Sequence, residues 1–381
     1  MFEFAPWWRL PGRSARWLLP LVLALRVGAE TVATADDPYR WLEDVDDARA
    51  LAWVEEHNAV TARRLTTRPE YESLRQDALK VLNSASRIPM VAAHGGYLYN
   101  LWQDEAHPRG LFRRTTPAGF REENPPWETV LDVDALARAE GIPWAFGDPI
   151  WRRPDERRCL ISLSPGGGDA AELREFDPER REFVAGGFVV PSAKSRVAWY
   201  DADSVLIGTD FGPGTLTESG YPRFVKLWRR GTPLASAETW YEAPVQSTWA
   251  LAQQLGSGPD VVHLLTEAQT YWKAKFLQVE TGKRERLALP ESANVIDALG
   301  GRLVVWLKDD GAFGDRRFKA GSVVIADLAA LKGSAGAVDL VFAGSDRVVA
   351  TAVNVPRNAI LIPLLDTVRG PVRSAVSAIS A

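Results

Sequence analysis

From about Arg87 onward the chain is written in short apolar runs of period two, each stopped within a few residues by Gly, Pro, Asp or Asn. Residues 97–103, 111–115, 159–164, 205–209, 224–228, 261–266, 275–279, 303–307, 323–325, 348–353 and 360–364 all read this way. Side chains alternate across a strand, so these runs predict β-strands joined by turns, and the near absence of helical spacing between them excludes a βαβ fold. Only Val133–Glu140 (VDALARAE) reads as an inserted helix. So long a succession of strands exceeds a sandwich of roughly 100 residues. Blades of about 40–50 residues arranged around an axis accommodate it as about five or six units. Fifteen tryptophans spread over the length suit the same all-β, β-propeller reading, since Trp favours strands.

The preceding stretch, 38–82, changes period. Trp41, Leu42, Val45, Ala48, Leu51, Ala52 and Val54 recur at three- and four-residue spacing, with acidic residues crowding the early turns, which predicts a helical arm. Further upstream, Arg9, Arg13 and Arg16 precede an apolar run at 17–25 and then Ala33-Thr34-Ala35. That is the layout of a cleaved export signal, with a run too short to span a bilayer, which takes about 20 residues. The sequence therefore divides into a signal peptide at 1–35, a helical arm at 36–84, a propeller at 85–372 and an irregular tail at 373–381. A genuine signal makes the protein periplasmic or secreted; without one it is cytoplasmic.

Charge excludes some functions. The net charge is −4 and both signs are interleaved, which leaves no basic footprint for nucleic acid. Cys159, the single cysteine, sits in an apolar run far from any histidine and reads as a core thiol. His57 falls in the helical arm, His94 before a Gly-Gly turn, His107 before Pro108 and His263 in an apolar strand where a satisfied core role is expected. Gly166-Gly167-Gly168-Asp169 lacks the Lys-Ser/Thr of a phosphate loop and reads as a turn between blade strands. The carboxylate pairs Asp132/Asp134, Asp201/Asp203 and Asp309/Asp310 have no companion histidine or cysteine cluster, so no metal and no cofactor are expected. Arg113-Arg114 and Arg229-Arg230 read as solvated strand edges, with bidentate binding of carboxylates as the alternative. Acyl transfer by serine needs a strained elbow with glycine two residues to either side, and no serine here has that setting.

Two glycine- and charge-rich stretches carry a resemblance. Residues 163–178 (LSPGGGDAAELREFDP) and 209–234 (TDFGPGTLTESGYPRFVKLWRRGTPL) follow 37–47, 101–116 and 127–140 in one family order. The chain resembles the arm and propeller of prolyl oligopeptidase-type serine peptidases over about residues 37–372. The resemblance implies a seven-bladed propeller that caps an α/β-hydrolase domain, admitting peptides and excluding folded proteins. The family's serine, aspartate and histidine all lie beyond the last residue here. The expectation is thus an incomplete propeller of a peptide-cleaving enzyme, lacking its triad. Asp210, Gly212, Gly214 and Arg223 belong to a loop that either gates substrate or is an ordinary blade connection. Two other readings stay open: a stand-alone propeller that binds peptides or proteins, and one part of a split peptidase completed by a separate hydrolase chain.

Overall fold

The computed structural model describes residues 37–377, apart from 45, 85, 258–259, 281, 357–358 and 368–372. The expected export signal at 1–35 lies outside the described residues. The chain divides into two compact units, Met1–Ala78 and Leu79–Ala381.

In the first unit a 3-10 turn, Arg40–Glu43, precedes α1 (Ala48–Thr66), and α2 (Tyr71–Leu82) begins after a short break. Asp47 starts α1 by accepting from the amides of Arg49 at 2.8 Å and Ala50 at 2.9 Å, which satisfies two donors the helix leaves free. Trp53 stacks on His57 with ring centres 3.7 Å apart, and Trp41 meets Trp53 edge-on at 6.3 Å. The helical arm expected over 38–82 is therefore helical, but interrupted around Arg68–Glu70.

The second unit is a β-propeller with one interposed helix of two turns. Its first blade is β1 (Ala92–His94), β2 (Tyr97–Trp102), β3 (Leu111–Thr115) and β4 (Glu128–Asp132), followed by α3 (Val133–Glu140). The second blade is β5 (Trp144–Trp151), β6 (Cys159–Pro165), β7 (Ala171–Asp177), β8 (Glu182–Phe183) and β9 (Val189–Ala193), the last pairing with β7. The third is β10 (Arg196–Trp199), β11 (Ser204–Gly208), β12 (Phe224–Arg229) and β13 (Glu238–Glu242). The fourth is β14 (Trp249–Leu255), β15 (Val262–Ala268), β16 (Ala274–Glu280) and β17 (Lys283–Arg286). The fifth runs β18 (Asn294–Leu299), β19 (Arg302–Trp306), β22 (Val323–Ala326) and β23 (Val338–Phe342). Its middle connection carries the hairpin β20 (Gly311–Phe313) and β21 (Arg316–Phe318), and a helical turn, α4 (Leu328–Leu331), precedes β23. A three-stranded sheet follows: β24 (Val348–Ala350), β25 (Ile360–Asp366) and β26 (Arg373–Ser377). All pairings are antiparallel.

Each blade packs on the next through its own apolar layer, and each central strand feeds two of them. Cys159 and Ile161 face the first blade, while Leu160 between them faces the third. Val205 and Ile207 point to the second blade and Leu206 to the fourth. Val304 packs on the three-stranded sheet, while Leu303 and Val305 pack on the fourth blade. Strands sandwiched in this way are apolar on both faces, which explains their unbroken hydrophobic runs. Cys159 is fully buried, and burial drives its thiol pKa far upward, as an inert core thiol requires.

The helix at Val133–Glu140 forms as expected, with the Asp132 side chain capping the Ala135 amide at 2.8 Å and Gly141 ending it at φ +69°. The segment expected to be an irregular tail differs: Arg373–Ser377 pairs with β25 across five residue positions. Its small residues hid a strand whose partner β25 is strongly apolar. Of the basic pairs, Arg229 is exposed as a solvated edge requires, whereas Arg113, Arg114 and Arg230 are not free edges. Arg114 is 4% exposed and holds Glu128 and Glu179, each at 2.7 Å. Arg113 lies between the Trp102 and Trp127 rings at 4.4 and 4.2 Å.

Candidate functional site

The turns of a propeller open on two faces. Turns between second and third strands, and the connections between blades, open on one; the remaining turns open on the other. First strands line the axis, and β10 accordingly touches both β5 and β14. Both glycine-rich stretches of the sequence therefore share one face. The turn at 166–170 joins β6 to β7, and the loop at 209–223 joins β11 to β12. Lys194 links them: its ammonium is 3.7 Å from Asp169 and 5.0 Å from the centre of the Tyr221 ring.

The four expected gating residues come together in the second of these loops. Asp210 Oδ1 accepts from the Gly212 amide at 2.8 Å, and Thr215 Oγ1 donates to the Gly212 carbonyl at 2.6 Å. Gly212 and Gly214 have φ of +111° and +79°, which side-chain-bearing residues resist. Arg223 closes the loop. Its Nε donates to the Gly214 carbonyl at 2.9 Å, Nη1 to the Ala243 carbonyl at 2.6 Å and Nη2 to Glu242 at 2.7 Å. The loop is thus braced against the connection into the fourth blade, and Thr217 adds a bond to the Thr248 carbonyl at 3.0 Å. On the same face the turn into β16 holds out Tyr271 and Trp272, 82% and 78% exposed, their rings 4.7 Å apart.

The opposite face is organised by residues 152–158, which join β5 to β6. Glu156, at φ +49°, accepts from His94 Nδ1 at 3.0 Å and from the Gly95 amide at 2.8 Å, tying this loop to the first blade. Burial by itself would raise the Glu156 carboxyl, and the two bonds outweigh it, holding the group below the ordinary carboxylate range. His94 stacks on Trp151 at 4.6 Å. A cavity of about 450 Å³ opens beside them, lined by Gly95, Tyr99, Asp155, Glu156, Arg157 and Glu179. At the other end of the loop, Arg153 reaches blades four and five. Its Nη1 donates to the Gly256 carbonyl at 2.6 Å and to Asp297 at 2.9 Å, and its amide donates to Gln254 Oε1 at 2.9 Å. Sequence reading missed this centre. Its only trace was the density of charge in RRPDERR and one aspartate, Asp297, inside an apolar strand.

The histidines supply no hydrolytic constellation among the described residues. His94 and His107 pair with Glu156 and Asp104, each at 3.0 Å, and neither imidazole bonds a serine hydroxyl there. His263, expected to be satisfied, has no hydrogen-bond partner for Nε2 among the described residues. Asp132 and Asp134 bond backbone amides, and no group of histidine, cysteine and carboxylate side chains able to hold a metal occurs among the described residues.

The family model described as prolyl oligopeptidase, N-terminal beta-propeller domain, matches residues 28–313. The chain belongs to this family. A relative from Sinorhizobium fredii (strain NBRC 101917 / NGR234), named uncharacterized peptidase y4nA, is 32% identical over 89% of this chain and 48% of its own length. Uncharacterized peptidase RP174 of Rickettsia prowazekii (strain Madrid E) is 23% identical over 86% of this chain and 48% of its own. Among solved structures, a post-proline cleaving enzyme from Rickettsia typhi superposes with a TM-score of 0.80 at 22% identity, covering 88% of this chain and 53% of that one. Oligopeptidase B from Leishmania major gives 0.65 at 14% identity, covering 91% and 46%. This prolyl oligopeptidase-family chain thus spans about half the length of the curated relatives it matches. No described helix is long and apolar enough to cross a membrane.

Proposed function

We propose that this chain is the substrate-gating propeller of a prolyl oligopeptidase-like serine endopeptidase that acts on peptides, with the catalytic triad outside the residues present here. One observation carries the reading: the family model covers residues 28–313, while the peptidase-named relatives match over only 48% of their own length. In this reading the propeller filters by size, and the Asp210–Arg223 bracing holds a loop at one mouth of its axis. The basic and apolar pattern ahead of Asp36 supports an exported protein, periplasmic or secreted. A second reading, a binding propeller or one part of a split peptidase, draws on Tyr271 and Trp272, whose exposed rings suit a docked partner.

The test is hydrolysis of a chromogenic prolyl peptide by the purified chain, beside a fluorophosphonate probe for activated serines. No turnover and no labelled serine is the expected result. A labelled serine in these residues overturns the proposal. A stable complex with a separately encoded hydrolase, restoring turnover, would favour the split enzyme.

A further inference from the structure

Arg153 makes contacts that neighbouring blades cannot explain. It belongs to the second blade, yet its partners Gln254 and Gly256 end the first strand of the fourth blade, and Asp297 lies on the first strand of the fifth. The innermost strand of the third blade, β10, stands between. Bonds that skip a blade run as a chord across the inside of a ring. Because β5, β14 and β18 line the axis, this chord crosses the axial channel.

The chord is built from both ends. Asp297 Oδ1 accepts from Arg153 Nη1 at 2.9 Å and from the Gly256 amide at 2.6 Å, so one carboxylate gathers two blades. A bulge between Val295 and Asp297 breaks the pairing of β18 with β19, and such a bulge re-aims a side chain that regular alternation would place elsewhere. At the far end Glu156 is fastened to His94 and Gly95 of the first blade. The loop 152–158 is thus held at both ends by other blades, while its base is closed by the Arg152 amide on the Arg158 carbonyl at 2.9 Å and by an ion pair of Arg158 with Asp177 of its own blade. The chord forms part of the wall of a cavity of about 320 Å³, lined also by Trp151, Trp199, Gln253, Leu255 and Ile296.

We propose that residues 152–158 form a removable plug over this mouth of the channel, latched by Arg153 on Asp297. The ion pair is partly open to solvent, with the two side chains 28% and 16% exposed, so salt and competing ions reach it. The anchor at Glu156 carries the loop when the latch is released. Closure at this mouth decides which end of the propeller a peptide enters, and that consequence rests on the peptidase reading; the plug itself does not.

Gln253→Cys puts a reporter thiol in the cavity wall, and Cys159, buried and with its thiol pKa raised, stays silent. Labelling rates are compared for N-ethylmaleimide and for a 5-kDa polyethylene-glycol maleimide, which diverge at a closed mouth and converge at an open one because only the small reagent passes a closed one. The latched chain is expected to favour the small reagent strongly. Adding Asp297→Asn should raise the rate with the bulky reagent about two- to fivefold and leave the small one nearly unchanged, since a partly exposed charge partner is worth up to about 1 kcal/mol. An unchanged ratio in a variant that circular dichroism shows to be folded overturns the plug. Should that variant not fold, the Gln253→Cys chain is titrated with sodium chloride: a rate that climbs with salt supports the latch, and a flat one overturns it. No peptide enters the assay, so its failure leaves the peptidase assignment untouched, and failure of the peptidase assay leaves the plug standing.

Discussion

Glu175 on β7 and Arg230 beyond β12 form a two-pronged ion pair across the seam between the second and third blades, at 2.7 and 3.2 Å. Glu175 is 2% exposed and also accepts from the Phe188 amide at 3.0 Å. Burial works against the Arg230 guanidinium, and the bonds to Glu175 and Asp203 outweigh it, leaving its pKa raised. Arg230→Ala strands a buried carboxylate, and the expected loss is about 3–5 kcal/mol in urea unfolding. Arg230→Lys keeps the charge and loses the fork, so it should fall between wild type and Ala. A loss below about 1 kcal/mol for Arg230→Ala would show that the seam relaxes around the lone carboxylate.

Glu267, also 2% exposed, gathers Tyr241, Ser247 at 3.1 Å and Lys275 at 3.2 Å in the seam between blades three and four. Burial would raise its carboxyl, and these donors more than offset it, so the folded pKa lies below the ordinary one. A depressed carboxylate stabilises the fold above its unfolded pKa of about 4.3, and that contribution is lost as pH falls through the folded value. Tyr241→Phe removes one donor and is expected to cost about 1–3 kcal/mol at pH 7 while flattening the acid limb below about pH 4.3. Melting curves between pH 7 and 3 for both proteins check the two effects together.

Strands with alternating or unbroken apolar residues were legible in the sequence because burial on blade faces writes that pattern directly. Leu111–Thr115 and Val133–Glu140 match their expected limits. The strand Ala171–Asp177 (AELREFD) was hidden, since Arg174, Glu175 and Asp177 do their packing through ion pairs, which no hydrophobic period records. The strand Trp144–Trp151 (WAFGDPIW) was masked by Gly147 and Pro149, where its pairing with β6 shifts register. Of the candidate site, the glycines of the 209–223 loop were visible because positive φ demands them. The chord from Arg153 to Asp297 spans 144 residues of sequence, and no local pattern announces a contact so distant.

Gly212→Ala separates the loop's backbone from its side-chain bracing. No atom lies within 4 Å of the added methyl group, so any cost is conformational, about 1–3 kcal/mol for a side chain at φ +111°. Amide exchange across 209–223 should speed up at least about fivefold, as about 1 kcal/mol corresponds to that factor. Arg223→Ala removes three anchoring bonds and should loosen the same amides with little strain of its own. If Gly212→Ala leaves exchange unchanged, the loop is held by Arg223 and Thr217 alone.

His263 makes a separate prediction at milder pH. Burial pulls its pKa below the ordinary imidazole value against the raising effect of the Trp199 and Tyr200 backbone, and its ring lies 4.6 Å from that of Tyr200. The folded state therefore binds the proton less tightly than the unfolded chain does. The stabilising contribution is complete above the unfolded pKa of about 6.5 and is lost as pH falls below it toward the folded value. The urea midpoint of the wild type should drop between pH 7.5 and 5.5, whereas His263→Phe, which keeps an aromatic ring against Tyr200 and carries no proton, should hold nearly level. Glu267 titrates below this window, so the two groups can be told apart on one pH series. Equal slopes for wild type and His263→Phe would assign the drop to another group.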